Sequence, residues 1–269
     1  MGIAEEQFLE TDYVKDIIAK YKRSATVLHP QTSNVTLSIA VSKFGGIPNL
    51  SGFDTYPYCD CCNTPLNFVL QLYKDEFQEL YFPQDKSLFQ LFRCPNSNCP
   101  DAYQEKDYYD LKMFVYYHSI DKTVDNLIKK PVGNQEGMEF SVPDCFLKPV
   151  KLADFPIDED YGNEINNMQA VYGEEMSDYF FDQFYAEQRT KVGGYPSFAQ
   201  SSYYPKCSCG KQKEFFFQLS SDDQEEGIID PVPDKWSPHH IMIGDLGNIY
   251  FYVCKSCGEK SIESYWDCY

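Results

Sequence analysis

The chain has 269 residues, with 23 Lys and Arg against 41 Asp and Glu, for a net charge of −18 at neutral pH. That balance repels phosphate, which excludes direct binding of nucleic acid and favours encounter with a basic protein partner. Hydrophobic residues make up 43% and aromatic residues 16%, so the chain can bury a core and is not a disordered one.

In chain order, the first predicted element is an amphipathic helix over residues 5 to 23. Phe8, Leu9, Tyr13, Val14, Ile17, Ile18 and Tyr21 recur at helical spacing, with acids early and Lys and Arg late. The same region has neither a basic n-region nor a long apolar h-region, and no later run reaches the ~20 apolar residues that span a bilayer. The sequence therefore predicts no secretion signal, no membrane span, and a cytoplasmic location, or a nuclear one for a eukaryotic chain. In such a reducing compartment the eleven cysteines point to metal rather than disulfides.

A β-like run at 35–42 leads into Gly45-Gly46 and Pro48. Strands are predicted at FVLQLY (68–73), 88–93 and 111–118. Residues 121–165 read as irregular, and 166–189 as a helix with a wide apolar stripe. From 151 to 190 there are ten acids and two bases, making the polar face of that helix the best candidate for an acidic contact surface. The second Gly-Gly pair, Gly193-Gly194, then precedes FFFQLS (215–220) and strand candidates at 241–243 and 249–253. The last two are joined by Gly244-Asp245-Leu246-Gly247-Asn248, which reads as a hairpin connection.

The chain repeats itself. At a constant offset of 148 positions, Lys43, Gly45, Gly46, Pro48, Tyr56, Pro57, Cys59 and Cys61 recur as Lys191, Gly193, Gly194, Pro196, Tyr204, Pro205, Cys207 and Cys209. Gln71 and Gln218 stand inside the corresponding apolar strands, where a buried amide needs backbone partners. These patterns predict an α+β fold of two duplicated, mostly antiparallel β-rich halves related by pseudo-twofold symmetry, with N-terminal and inter-repeat helices. The expected division is 1–120 for the helix and first repeat, 121–190 for an acidic connector, and 191–269 for the second repeat.

Each repeat carries four cysteines in two close pairs: Cys59 and Cys62 with Cys94 and Cys99, then Cys207 and Cys209 with Cys254 and Cys257. Four thiolates in tetrahedral array suit a structural Zn2+ and leave no position for reactive water. Within Cys59-Asp60-Cys61-Cys62, alignment with Cys207-Ser208-Cys209 points to Cys61, whereas the usual two-residue gap points to Cys62, which is taken as the ligand. Cys145 and Cys268 read as isolated thiols, and His239-His240 as an edge pair. No phosphate loop, nucleophile elbow or zinc-protease helix is present, so the sequence offers no catalytic constellation and predicts no enzyme.

Taken together, SKFGGIPNL, the Cys59-to-Tyr73 motif C-x-x-C-x-x-P-L-x-F-x-x-Q-L-Y, KVGGYPSF with PKCSCG and FFFQL, and IGDLGNIYFYVC resemble the TYPP family. That group joins bacterial YwqG-like proteins to eukaryotic programmed cell death protein 2 and its relatives. The resemblance covers most of 41–99 and 191–258. It implies a duplicated β-rich fold and, for eukaryotic members, a chaperone that captures a newly made ribosomal protein. Some relatives insert a MYND-type finger between the halves, but residues 100–206 here hold only Cys145, which places the chain nearer the YwqG-like side. The alternative expectation is an immunity-like interaction protein that neutralises a toxin or other effector.

Overall fold

The computed structural model describes residues 4–96, 99, 112–120, 122, 128–131, 141–224 and 237–269. The N-terminal amphipathic run forms two helices, α1 (Glu5–Leu9) and α2 (Asp12–Tyr21). Thr11 breaks the run: its backbone is extended, and its hydroxyl caps α2 by accepting the Val14 N–H. Strands β1 (Arg23–Val27), β2 (Pro30–Thr32), β3 (Lys43–Phe44), β4 (Asn67–Tyr73), β5 (Leu88–Arg93) and β6 (Met113–His118) follow. Next come β7 (Cys145–Leu147), β8 (Val150–Asp154), α3 (Asn163–Tyr172) and α4 (Glu174–Gln183). The chain finishes with β9 (Lys191–Gly193), β10 (Glu214–Ser220), β11 (Asn248–Val253) and β12 (Glu263–Asp267).

These twelve strands form two antiparallel six-stranded sheets, ordered β2-β7-β3-β4-β5-β6 and β12-β11-β10-β9-β1-β8. Each sheet is built around one repeat, β3 to β6 or β9 to β12, and both are bulged at the same place. The register shifts between Phe68 and Leu70 opposite β5, and between Phe215 and Phe217 opposite β11. The strands before the repeats are exchanged. β1 lies beside β9, while β7 lies beside β3.

One core cluster draws Phe44, Val69, Leu70, Phe89 and Leu91 from the first sheet and Val192, Phe216, Phe217, Ile249 and Phe251 from the second. The Phe89 and Phe217 rings meet edge to face at 5.6 Å. Two aromatic layers cover the outer faces, one around Phe68, Phe92 and Phe114 and the other around Phe198, Tyr250 and Tyr252. A separate cluster joins the helices through Phe8, Ile17, Tyr161, Met168 and Phe180. Burial on both faces explains why β4 and β11 read as continuous apolar runs rather than alternating ones.

Several predicted elements come out differently. The run at 35–42 is a loop, because its carbonyls are taken by side chains instead of a neighbouring strand. Lys43 Nζ donates to Leu37 O, the Gln71 amide to Ile39 O and Val41 O, and the Tyr73 hydroxyl to Ile39 O. The helix expected over 166–189 is two helices broken at Gly173, whose φ of 92° leaves the helical region. Residues 241–243 form no strand, so 244–246 is a turn leading into β11 at Asn248 and not a hairpin connection. Two strands, β7 and β8, lie within the stretch expected to be irregular. Position 111 of the predicted strand at 111–118, and 121, 123–127 and 132–140, lie outside the described residues.

Candidate metal centres

The fold brings the eight predicted cysteines together as two groups of four. The ligand atoms of Cys59, Cys62, Cys94 and Cys99 lie within 4.8 Å of one another, and so do those of Cys207, Cys209, Cys254 and Cys257. Each group stands at the open end of a strand pair. A cysteine turn precedes β4 or β10, and the second cysteine pair follows β5 or β11, where Asn67 faces Arg93 and Glu214 faces Val253.

Local backbone chemistry makes these turns. Cys59 N–H donates to Thr64 O and Asn63 N–H returns to Cys59 O, both at 2.9 Å. In the second half, Cys207 N–H donates to Lys211 O and Gly210 N–H to Cys207 O, both at 2.8 Å. Cys257 and Gly258 N–H both donate to Cys254 O at 2.9 Å. In all three turns the residue after the second cysteine has a positive φ: Asn63 at 52°, Gly210 at 84° and Gly258 at 70°. Glycine and asparagine tolerate that conformation best.

The sulfur geometry fits a tetrahedral thiolate centre. Zn–S bonds near 2.3 Å would set the sulfurs about 3.8 Å apart. The Cys59–Cys99 and Cys62–Cys94 separations are 3.6 and 3.5 Å, and Cys209–Cys254 is 3.6 Å. Within each group the thiols compete for protons. Burial raises the Cys62 thiol, but hydrogen bonds from the Thr64 hydroxyl and amide, and from the neighbouring thiols, bring it down to about 6. Burial also pushes Cys59 and Cys94 up. In the second group the Cys209 amide, joined by the other thiols, lowers Cys207 to about 6, while hydrogen bonds with Cys209 and Cys207 raise Cys257 to about 12. A divalent cation would relieve this competition by accepting all four sulfurs as thiolates.

The two groups differ in cover. Cys59, Cys94 and Cys99 are buried, whereas Cys209 and Cys257 of the second group are exposed. Cys61, the match of Cys209 in the sequence repeat, is exposed and outside the first group; Cys62 occupies that place. Cys145 is buried in β7 and Cys268 is half-buried, and neither joins a group. His239 is not on an edge: it is fully buried, its Nε2 is 3.0 Å from Asp223 Oδ2, and its Nδ1 accepts the Ile241 N–H. Because Nδ1 accepts, a ring proton on Nε2 faces the Asp223 carboxylate.

Beside each Gly-Gly turn lies a lysine–carboxylate pair that the repeat showed only by half. Lys43 Nζ is 3.1 Å from Asp144 Oδ1, and Lys191 Nζ is 2.9 Å from Asp154 Oδ2. The lysines repeat, but Asp144 precedes β7 and Asp154 ends β8, so no sequence offset links them. The glutamines match their sequence expectation. Gln71 Oε1 accepts the Asn49 N–H and Gln218 Oε1 the Ser197 N–H, and both side-chain amides donate to backbone carbonyls.

A family model described as a domain of unknown function, DUF1963, matches residues 42–257, from just before the first Gly-Gly turn to the last cysteine of the second group. The chain belongs to the DUF1963 family. YwqG-like proteins carry this domain. In this DUF1963 chain the match takes in both cysteine groups and strands β3 to β11, with β1, β2 and β12 outside it. A search among curated proteins finds no match. Among the described residues, no helix is long and apolar enough to cross a membrane.

Proposed function

We propose that this chain is a zinc-stabilised, non-enzymatic protein-binding protein of the YwqG-like type, acting in the cytoplasm as a chaperone for a basic client such as a ribosomal protein. It sits within the wider TYPP group, with its halves related by a pseudo-twofold axis. The observation that carries the reading is the pair of closed four-cysteine groups at equivalent ends of two strand pairs. Four sulfur donors leave no open position for water or substrate, so metal there supplies folding free energy rather than chemistry. Cys59, Cys62, Cys94 and Cys99 would hold one Zn2+, and Cys207, Cys209, Cys254 and Cys257 the other.

The net charge of −18 supports a basic client and not a nucleic acid. Affinity purification from the native host with mass spectrometry tests the reading. A ribosomal protein as the dominant, salt-sensitive partner is expected; one non-ribosomal effector would replace the chaperone reading with that of an immunity-like protein. Metal analysis showing fewer than two equivalents of zinc per chain would overturn the metal assignment.

A further inference from the structure

An acidic, aromatic cleft opens between α4 and the segment that follows β8. It encloses about 720 Å³. Phe181, Phe184, Tyr185 and Phe198 contribute its apolar surface, and Asp158, Asp178 and Asp182 its carboxylates. Neither lysine nor arginine is among its described lining residues. Most acids nearby are already engaged: Asp154 with Lys191, Glu164 with Lys20, and Glu187 with Arg189. Asp178 and Asp182 have no cationic partner among the described residues; both are exposed on α4, which also carries Phe181, and Tyr185 follows just past the helix end. Tyr185 is a large ring left 58% exposed.

Rings beside unpaired carboxylates form a recognisable chemical environment. An aromatic face attracts a guanidinium or ammonium group, and flanking carboxylates supply charge to the same cation. The protein already uses this device internally. The Arg23 guanidinium lies 3.8 Å over the Tyr195 ring, and Lys20 Nζ lies 4.7 Å from the centre of Tyr21. The cleft offers the same combination to a cation from outside the chain.

We infer that this cleft seats an arginine-rich segment of the client, with guanidinium planes stacked on the rings and hydrogen-bonded to Asp158, Asp178 and Asp182. The inference rests on the basic-partner reading above and names the surface that would serve it. Arginine suits the site better than lysine because its planar group both stacks and binds carboxylates in a bidentate manner.

The test is fluorescence anisotropy of a short fluorescein-labelled Gly-Arg repeat peptide with the full chain at low and high salt. Asp178→Asn/Asp182→Asn should weaken binding by about tenfold and flatten its salt dependence. Tyr185→Ser removes an exposed ring without touching the core, and should weaken binding several-fold even at high salt. Asp54→Asn/Asp85→Asn removes the same charge from exposed positions outside the cleft and should leave affinity near wild type. Melting temperatures establish that each variant is folded. If both double variants weaken binding equally, or neither does, the cleft is wrong while a basic partner stands. If the peptide does not bind even at low salt, the basic-partner reading falls with it.

Discussion

Lys191 Nζ lies 2.9 Å from Asp154 Oδ2, and both side chains are shut off from water. The other oxygen of Asp154 accepts the Glu187 N–H, and Oδ2 also accepts the Tyr195 N–H, so this one carboxylate gathers three donors, one before β9, one in it and one just after its Gly-Gly pair. Burial lowers the Lys191 pKa, and Asp154 opposes that shift. Removing only the negative partner strands a cation in the interior. Asp154→Asn is therefore expected to destabilise the protein by about 3–5 kcal/mol. Asp144→Asn should have a smaller effect, because the Asp144 side chain keeps 16% exposure. Urea unfolding of the two variants checks the order.

The Gly-Gly turns predict a matching asymmetry. Gly46 and Gly194 have φ of +66° and +72°, and an added Cβ would fall 1.9 Å from Asp144 Oδ1 or 2.0 Å from Asp154 Oδ2. The left-handed backbone alone costs an alanine about 1 kcal/mol. The partly exposed Asp144 can turn aside, whereas the enclosed Asp154 cannot. Gly194→Ala should thus cost more than Gly46→Ala, with the melting temperature falling further.

Unequal cover of the sulfur groups should show as two rates of metal loss. A chelator reaches Cys209 and Cys257 directly, but Cys59, Cys94 and Cys99 only after local opening. Zinc release followed with a chromogenic chelator is expected to be biphasic, with equal amplitudes. Cys257→Ser should abolish the fast phase and leave the slow one; a single phase in the wild type would refute the assignment.

His118 gives the pH prediction. Burial, reinforced by the positive charge of Lys86, lowers its pKa from 6.5 to about 4. Among the described residues its buried Nε2 has no hydrogen-bond partner. The folded state thus binds fewer protons than the unfolded chain between these values. Stability contributed by neutral His118 is complete above pH 6.5 and is lost as pH falls toward 4. The loss should be on the order of 2 kcal/mol after allowance for partial exposure. Equilibrium unfolding of His118→Phe over this window should show a shallower slope than the wild type.

Sequence reading reached the elements whose residues act locally. The aromatic runs of β4, β5, β10 and β11, the glycine pairs and the short cysteine spacings all carry their geometry in adjacent residues. It missed β1, β7 and β8, short strands that depend on partners far along the chain. It read 35–42 as a strand because branched residues alternate there, yet Lys43, Gln71 and Tyr73 capture the carbonyls that a neighbouring strand would need. Spacing left Cys61 and Cys62 undecided, and only the turn closed by Asn63 and Thr64 sets Cys62 beside Cys94. Asp144 and Asp154 were hidden for a different reason: equal roles are filled from unequal positions.

The exchange of β1 and β7 bears on how the molecule is made. On an elongating ribosome Val27 emerges long before Val150 and Lys191, the residues it will face. β3 likewise has no neighbour on one side until Cys145 and Phe146 have been translated. Both sheets must therefore stay unfinished until late in synthesis, and a nascent chain halted before β7 would present bare strand borders to its surroundings.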